Sequence, residues 1–253
     1  MSTVHHDNIK QTVRKTYGKI ATAGMSGCGC GCSPSGSYSQ GERDNVPRGA
    51  DLGLGSGNPL AIADIQPGET VVDLGSGGGI DCFLAANAVG DDGLIIGIDM
   101  TPEMVSRARA NAEEGGYSNV DFRLGEIENL PVADSSADVI MSNCVINLSP
   151  DKASVYGEAF RVLKPGGRVA ISDIVTTVDL PDEARGDLEQ YAACVSGAAS
   201  INEMKEVLTK AGFEDIGILP GSGARDIPDT WKPGSDINDY TVSASVKAVK
   251  PVG

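Results

Sequence analysis

VVDLGSGGGIDCFLAANAVGDDGLIIGID, residues Val71 to Asp99, is the stretch whose reading decides the fold. Val71-Val72-Asp73-Leu74 has the short apolar character of a buried parallel strand, and Gly75-Ser76-Gly77-Gly78-Gly79 follows where such a strand turns into a helix. Leu94 to Ile98 then reads as a second strand that ends in an acid, Asp99. A glycine loop between strand and helix is a ligand cradle. Without Cβ atoms the backbone comes close to a bound molecule, and the first turn of the helix offers unpaired N–H groups.

The dinucleotide fingerprint G-x-G-x-x-G opens the same way and also places an acid after the second strand. Two details disfavour it here. The third glycine falls at Ile80, and Asp73, two residues before the loop, sets a negative charge where a pyrophosphate would be repelled. Both suit S-adenosylmethionine, whose sulfonium and ammonium are attracted by a carboxylate and whose ribose hydroxyls suit Asp99. The loop and its two acids resemble the cofactor site of the class I methyltransferases. That resemblance implies a Rossmann-like α/β fold: a mostly parallel seven-stranded sheet, helices on both faces and an antiparallel edge strand.

Outward from this stretch, 253 residues with 40% hydrophobic content are enough for one α/β domain with embellishments. The balance of 20 basic against 35 acidic side chains, a formal charge of −15, repels phosphate backbones and anionic lipid. Nucleic acid and membrane surfaces are therefore not expected partners. The polar start, Met1-Ser2-Thr3-Val4-His5-His6, leads into no apolar run, so a cytoplasmic setting is expected. There thiols stay reduced, and six cysteines read as ligands or reactive groups rather than as a disulfide frame.

Three parts are expected along the chain. Residues 1–58 carry a lid helix and a flexible Cys-, Gly- and Ser-rich loop, residues 59–178 the cofactor-binding core, and residues 179–253 substrate-binding helices and the last strands. From Asn8 to Thr22, Val13, Tyr17 and Ile20 share one helical face. In many methyltransferases such a helix packs over the cofactor, which would bring Tyr17 and Gly18 near it; a helix capping the sheet has the same pattern. Cys28-Gly29-Cys30-Gly31-Cys32 has a spacing unlike the usual zinc patterns. Three thiols on a glycine tape suit a soft, thiol-seeking ion, and equally an incidental surface loop.

Thr101-Pro102-Glu103 opens a helix that Gly115-Gly116 ends. The strand Val120–Leu124 leads to Glu126 and Ile127, where methyltransferases place residues around the adenine, and Met100 beside Asp99 belongs to the same cofactor set. Asp138 to Asn143 reads as a strand that delivers Asn143 and Cys144 to the carboxyl edge of the sheet, where open α/β sheets bind ligands. Lys164-Pro165-Gly166-Gly167 is a turn, and strands follow at Arg168–Ile174, Phe213–Leu219 and Tyr240–Val249.

Three strings sharpen the resemblance: Ser142-Asn143-Cys144-Val145-Ile146-Asn147-Leu148, Tyr191-Ala192-Ala193-Cys194-Val195-Ser196-Gly197-Ala198, and Asp73 to Cys82. Together they resemble the arsenite methyltransferases from about Val13 to about Leu219. The resemblance implies that Cys144 and Cys194 bind trivalent arsenic, that S-adenosylmethionine is the methyl donor, and that a thiol reductant such as thioredoxin or glutathione is a co-substrate. Soft arsenic prefers sulfur on chemical grounds as well. Cys82 at the start of the first core helix suits packing, while the resemblance implies oxidative pairing with another thiol. One departure stands out: where the family usually carries a third arsenic-binding cysteine, in the loop Leu52 to Pro59, this chain has Ser56. A methyltransferase acting on a quinone or sterol precursor, and a thiol-rich protein that sequesters soft metals, are the competing readings. Four aromatic Phe and one Trp weakly disfavour the first.

Overall fold

The computed structural model of the chain describes residues 3–23, 38–180, 191, 196–221 and 236–253. Helix α1 spans Thr3–Ala23, and the short helices α2 (Gln40–Asp44) and α3 (Leu60–Ala63) precede the sheet. Strands and helices then alternate: β1 Thr70–Leu74, α4 Ile80–Val89, β2 Leu94–Asp99, α5 Pro102–Gly115, β3 Val120–Leu124, β4 Ala137–Asn143, α6 Lys152–Val162 and β5 Leu163–Thr176. The two-residue β6 (Ala199–Ser200), α7 (Ile201–Ala211), β7 (Glu214–Pro220) and β8 (Thr241–Val249) complete the fold.

The strands lie in the order β3-β2-β1-β4-β5-β8-β7, with β6 paired to the end of β5. All pairs from β3 to β5 are parallel, and β8 runs antiparallel between β5 and β7 at the far end of the sheet. The seven expected strands form this path, and β6 makes the sheet eight-stranded. The chain winds outward from β1 in one direction through β2 and β3, and in the other through β4 and β5. The crevice beyond the carboxyl ends of β1 and β4 is thus the topological switch point, where such sheets bind ligands.

Alternation along the strands explains the two faces. Val71, Ile95 and Val139 turn to one core with Phe83, Val105 and Phe122, while Val72, Ile96 and Ile140 turn to the other with Val155, Met204 and Leu208. Phe83 is fully buried, its ring 4.7 Å from that of Tyr117 and 5.7 Å from that of Phe122. Replacing it with alanine should cost about 3–5 kcal/mol. The same ring fixes the glycine loop above it, since a Cβ on Gly79 (φ 97°) would stand 2.7 Å from Phe83 Cε2.

Helix α1 starts earlier than its pattern shows, but the expected face is the one that packs. Val13 and Ile20 are buried, and Ile9 joins them. Helix α5 ends at Gly116 in the left-handed region (φ 70°). The turn Lys164 to Gly167 differs from expectation in place. Leu163 already pairs with Ala137 and Arg168 with Val139, so the four residues between bulge out of β5 rather than precede it. The segments that hold Cys28, Cys30, Cys32 and Cys194 lie outside the described residues.

Candidate active site

A cleft of about 990 Å³, open to solvent, lies over the switch point. Its floor is the glycine loop. Gly75, Gly77 and Gly79 all have positive φ, a conformation that side chains disfavour. The N–H groups of Gly75 and Ser76 donate to the carbonyl of Ile98 at 2.8 and 3.0 Å, which staples the loop to β2. Asp99 continues the staple: Oδ2 accepts from Gly77 N–H at 3.0 Å and Oδ1 from Thr101 N–H at 2.8 Å. Burial raises the pKa of Asp99, opposed by these same bonds. Each oxygen keeps a lone pair for a ligand hydroxyl.

Two observations fit a cofactor here. A Cβ on Gly77 would project into empty space on the cleft side, and the buried Ser76 Oγ, on the cleft wall, has no hydrogen-bond partner. Tyr17, Met100 and Ile127 also line the cleft.

Three of the expected cofactor residues, Asp73, Gly18 and Glu126, lie off the cleft wall. Asp73 is buried beneath the loop, off the cleft wall, where its Oδ2 accepts from the Cys82 thiol at 3.2 Å. Burial, then the nearby Asp81, hold its pKa well above the usual carboxylate range. The acid that faces the cleft is Asp81, in the first turn of α4. Burial pushes its pKa to about 6, against hydrogen bonds from Tyr38 and Asn143. Gly18 faces α5, where a Cβ would come 3.3 Å from Glu103 Oε2, while Lys10, Val13 and Tyr17 of the same helix line the cleft. Glu126 turns outward to Lys10 (2.8 Å) and Arg14 (3.3 Å), leaving Ile127 and Glu128 on the wall. Those ion pairs, with the Arg14 Nε bond to the Met100 carbonyl at 3.2 Å, tie α1 across the cofactor end.

The other end of the cleft is made by side chains. Cys144 follows β4, 4% exposed, on the cleft wall, with φ 57° and its N–H donating to the Ser172 carbonyl at 2.8 Å. A non-glycine residue in the left-handed region costs on the order of 1 kcal/mol, a strain that recurs at functional sites. Its neighbour Asn143 gathers three remote segments. Asn143 Oδ1 accepts from Ser56 N–H at 3.0 Å, while Nδ2 lies 2.8 Å from Tyr38 Oη, 2.9 Å from the Gly57 carbonyl and 3.2 Å from Asp81 Oδ2. Tyr38 O–H in turn donates to Asp81 Oδ1 at 2.7 Å. The Ser56 Oγ is buried and without a partner. Cys82 is fully buried among Phe122, Gly97 and Asp73, and burial pushes its thiol pKa up.

Sequence reasoning missed Tyr38 and Asp81. Asp81 stood inside the quoted loop-helix string and carried a visible charge, whereas Tyr38, amid serines and glycines, offered no local signal. Among the described residues, no group of three or more His, Cys, Asp and Glu is arranged to hold a metal.

The Methyltransferase domain family matches residues 65–212. The arsenite methyltransferase of Halobacterium salinarum is 47% identical over 97% of this chain and 67% of its own length. This chain belongs to the arsenite methyltransferase family. Within that family, the human arsenite methyltransferase is 35% identical over 84% of this chain, which spans 60% of the human one. The crystal structure of an arsenic(III) S-adenosylmethionine methyltransferase from Chlamydomonas reinhardtii superimposes with a TM-score of 0.64 at 30% identity, covering 95% of this chain and 73% of that one. The family is that of S-adenosylmethionine-dependent enzymes, and the fold has the architecture that the glycine loop implied.

Proposed function

We propose that the chain methylates trivalent arsenic held on protein thiolates, acting on methylarsenite more readily than on inorganic arsenite. The observation that carries this reading is the placement of Cys144: a buried thiol in a strained turn, on the wall of the same cleft whose floor is the glycine loop. Gly75 to Gly77, Ser76 Oγ and Asp99 would hold S-adenosylmethionine, which supplies an electrophilic methyl group. Tyr17, Met100 and Ile127 would enclose it, under α1 as tied to Glu126 and Met100 by Lys10 and Arg14.

The chain's own contribution at the substrate end is ligation and orientation. Thiolate is the ligand form, and arsenic held on it keeps a lone pair as nucleophile. Because arsenic loses no proton, no general base is required, and positioning supplies most of the rate. Cys194 is proposed as the second thiolate on the resemblance of its string, and a small thiol reductant as co-substrate. Ser56 stands where a third thiolate would be. Its hydroxyl is a harder ligand than sulfur and stays protonated, so binding falls to two protein sulfurs. Methylarsenite, with one bond already made to carbon, needs only two.

The deciding experiment is product analysis after incubation with isotopically labelled S-adenosylmethionine, a thiol reductant and either arsenical. Labelled methylated arsenic, formed faster from methylarsenite, is the expected result. Absence of methylated arsenic from both, in protein shown to bind the cofactor, overturns the proposal.

A further inference from the structure

We propose that Tyr38 is a positioning residue for the arsenical: through Asp81 and Asn143 it holds the Gly55–Gly57 loop against the residues flanking Cys144. The inference rests on the function proposed above for its substrate, but its geometry stands by itself.

The chain of contacts is short and leaves little slack. Tyr38 O–H donates to Asp81 Oδ1 at 2.7 Å and accepts from Asn143 Nδ2 at 2.8 Å. Asn143 is thereby set to accept from Ser56 N–H and to donate to the Gly57 carbonyl. On its far side the loop is held by Ser243 Oγ, which donates to the Ser56 carbonyl at 2.8 Å. The loop has no side chains in the way. A Cβ on Gly55 would stand 2.6 Å from Asn143 Nδ2, and one on Gly57 would stand 2.7 Å from Ser172 Cβ. Asn143 precedes Cys144 in the chain, and the Ser172 carbonyl accepts the Cys144 N–H. Gly55 and Cys144 line the same cleft, so movement of the loop alters the space that both border.

Removing the Tyr38 hydroxyl would strip a donor from a buried carboxylate and an acceptor from Asn143 Nδ2. The amide would then turn toward Asp81 Oδ2, 3.2 Å away, and release Ser56 N–H. Tyr38 itself is 8% exposed and lines the cleft, so it touches the site without needing to touch arsenic.

The test is Tyr38→Phe in the full chain, with two readouts. In hydrogen exchange followed by mass spectrometry, the peptide bearing Ser56 should exchange at least tenfold faster, with β1 and β4 unchanged. In steady-state assays the KM for methylarsenite should rise about tenfold while kcat changes less than threefold. Unchanged exchange at Ser56 overturns the proposal, as does equal acceleration across the strands, which would make Tyr38 a stabiliser of the domain only. A KM that does not move while Ser56 exchanges faster overturns the substrate part. Should the unaltered chain fail to methylate any arsenical, the proposed function falls, and the exchange result still decides the clamp.

Discussion

The two ends of the cleft are built differently. The cofactor end is backbone: N–H groups and glycines of Gly75 to Gly79, held to β2 by Ile98 and Asp99, all within one run of 29 residues, Val71 to Asp99. The substrate end is side chain: Tyr38, Ser56, Asn143 and Cys144, joined across up to 105 positions of sequence, with Asp81 between the two ends. A backbone site tolerates most side-chain changes and is exacting about glycine. A side-chain site reverses that, because each hydrogen bond or sulfur ligand belongs to one residue type. The contrast predicts which substitutions should separate cofactor binding from substrate chemistry.

The largest separation should come from Cys144→Ser. With oxygen in place of sulfur, methylation of methylarsenite should fall at least about 100-fold while calorimetric affinity for S-adenosylmethionine stays within twofold. Full turnover in this variant would make Cys144 a packing residue. Loss of both properties would show that the two ends are not independent.

Asp99→Ala should do the converse. Gly77 and Thr101 N–H groups lose their shared acceptor, and cofactor affinity should weaken by about 1–3 kcal/mol. Calorimetry reads this directly, and unchanged affinity would remove Asp99 from the site.

Ser56→Cys sharpens the comparison with a gain. A third sulfur in place of the unpartnered Ser56 Oγ should raise the arsenite rate several-fold, on the order of 3–10-fold, and leave methylarsenite nearly unchanged. Equal rates before and after would mean two thiolates suffice for both substrates.

The smallest effect is a proton count. Asp81, pushed to about 6 by burial, is about half protonated at pH 6 and ionised at pH 8. A cationic ligand on its wall of the cleft favours the carboxylate and lowers that pKa, so binding of S-adenosylmethionine should release up to about half a proton at pH 6 and almost none at pH 8. Titrations in buffers of different ionisation enthalpy measure it; proton uptake at pH 6 would place the positive charge elsewhere.

How much of this was legible follows from range. The position of Asp99, Gly75, Ser76 and Gly77 on the cleft was readable because strand, loop and helix are contiguous and each has its own local pattern. Glu126 lies off the cleft wall, one position from Ile127, which lines it. Its strand was correctly bounded, but which of Glu126, Ile127 and Glu128 faces inward depends on the turn closed by the Glu126–Asn129 bridge and on Lys10 and Arg14 drawing Glu126 outward. Gly18 lies off the cleft wall for a similar reason, since which face of the helix meets α5, where a Cβ on Gly18 would come 3.3 Å from Glu103 Oε2, is a matter of packing.

By itself the sequence determined the strand–loop–helix unit, the switch-point location of the cleft, and Cys144 as the thiol delivered there, because hydrophobic period, glycine and proline act locally. Tertiary structure alone decided that Asp81 rather than Asp73 faces the cleft, and that Tyr38 and Ser56 meet at Asn143. Burial and hydrogen-bond partners are properties of folded neighbours, and no local pattern carries them. A carboxylate one turn along a helix, or a tyrosine in a serine-rich segment, becomes part of a site only when packing removes water and leaves one geometry in which its polar atoms are satisfied.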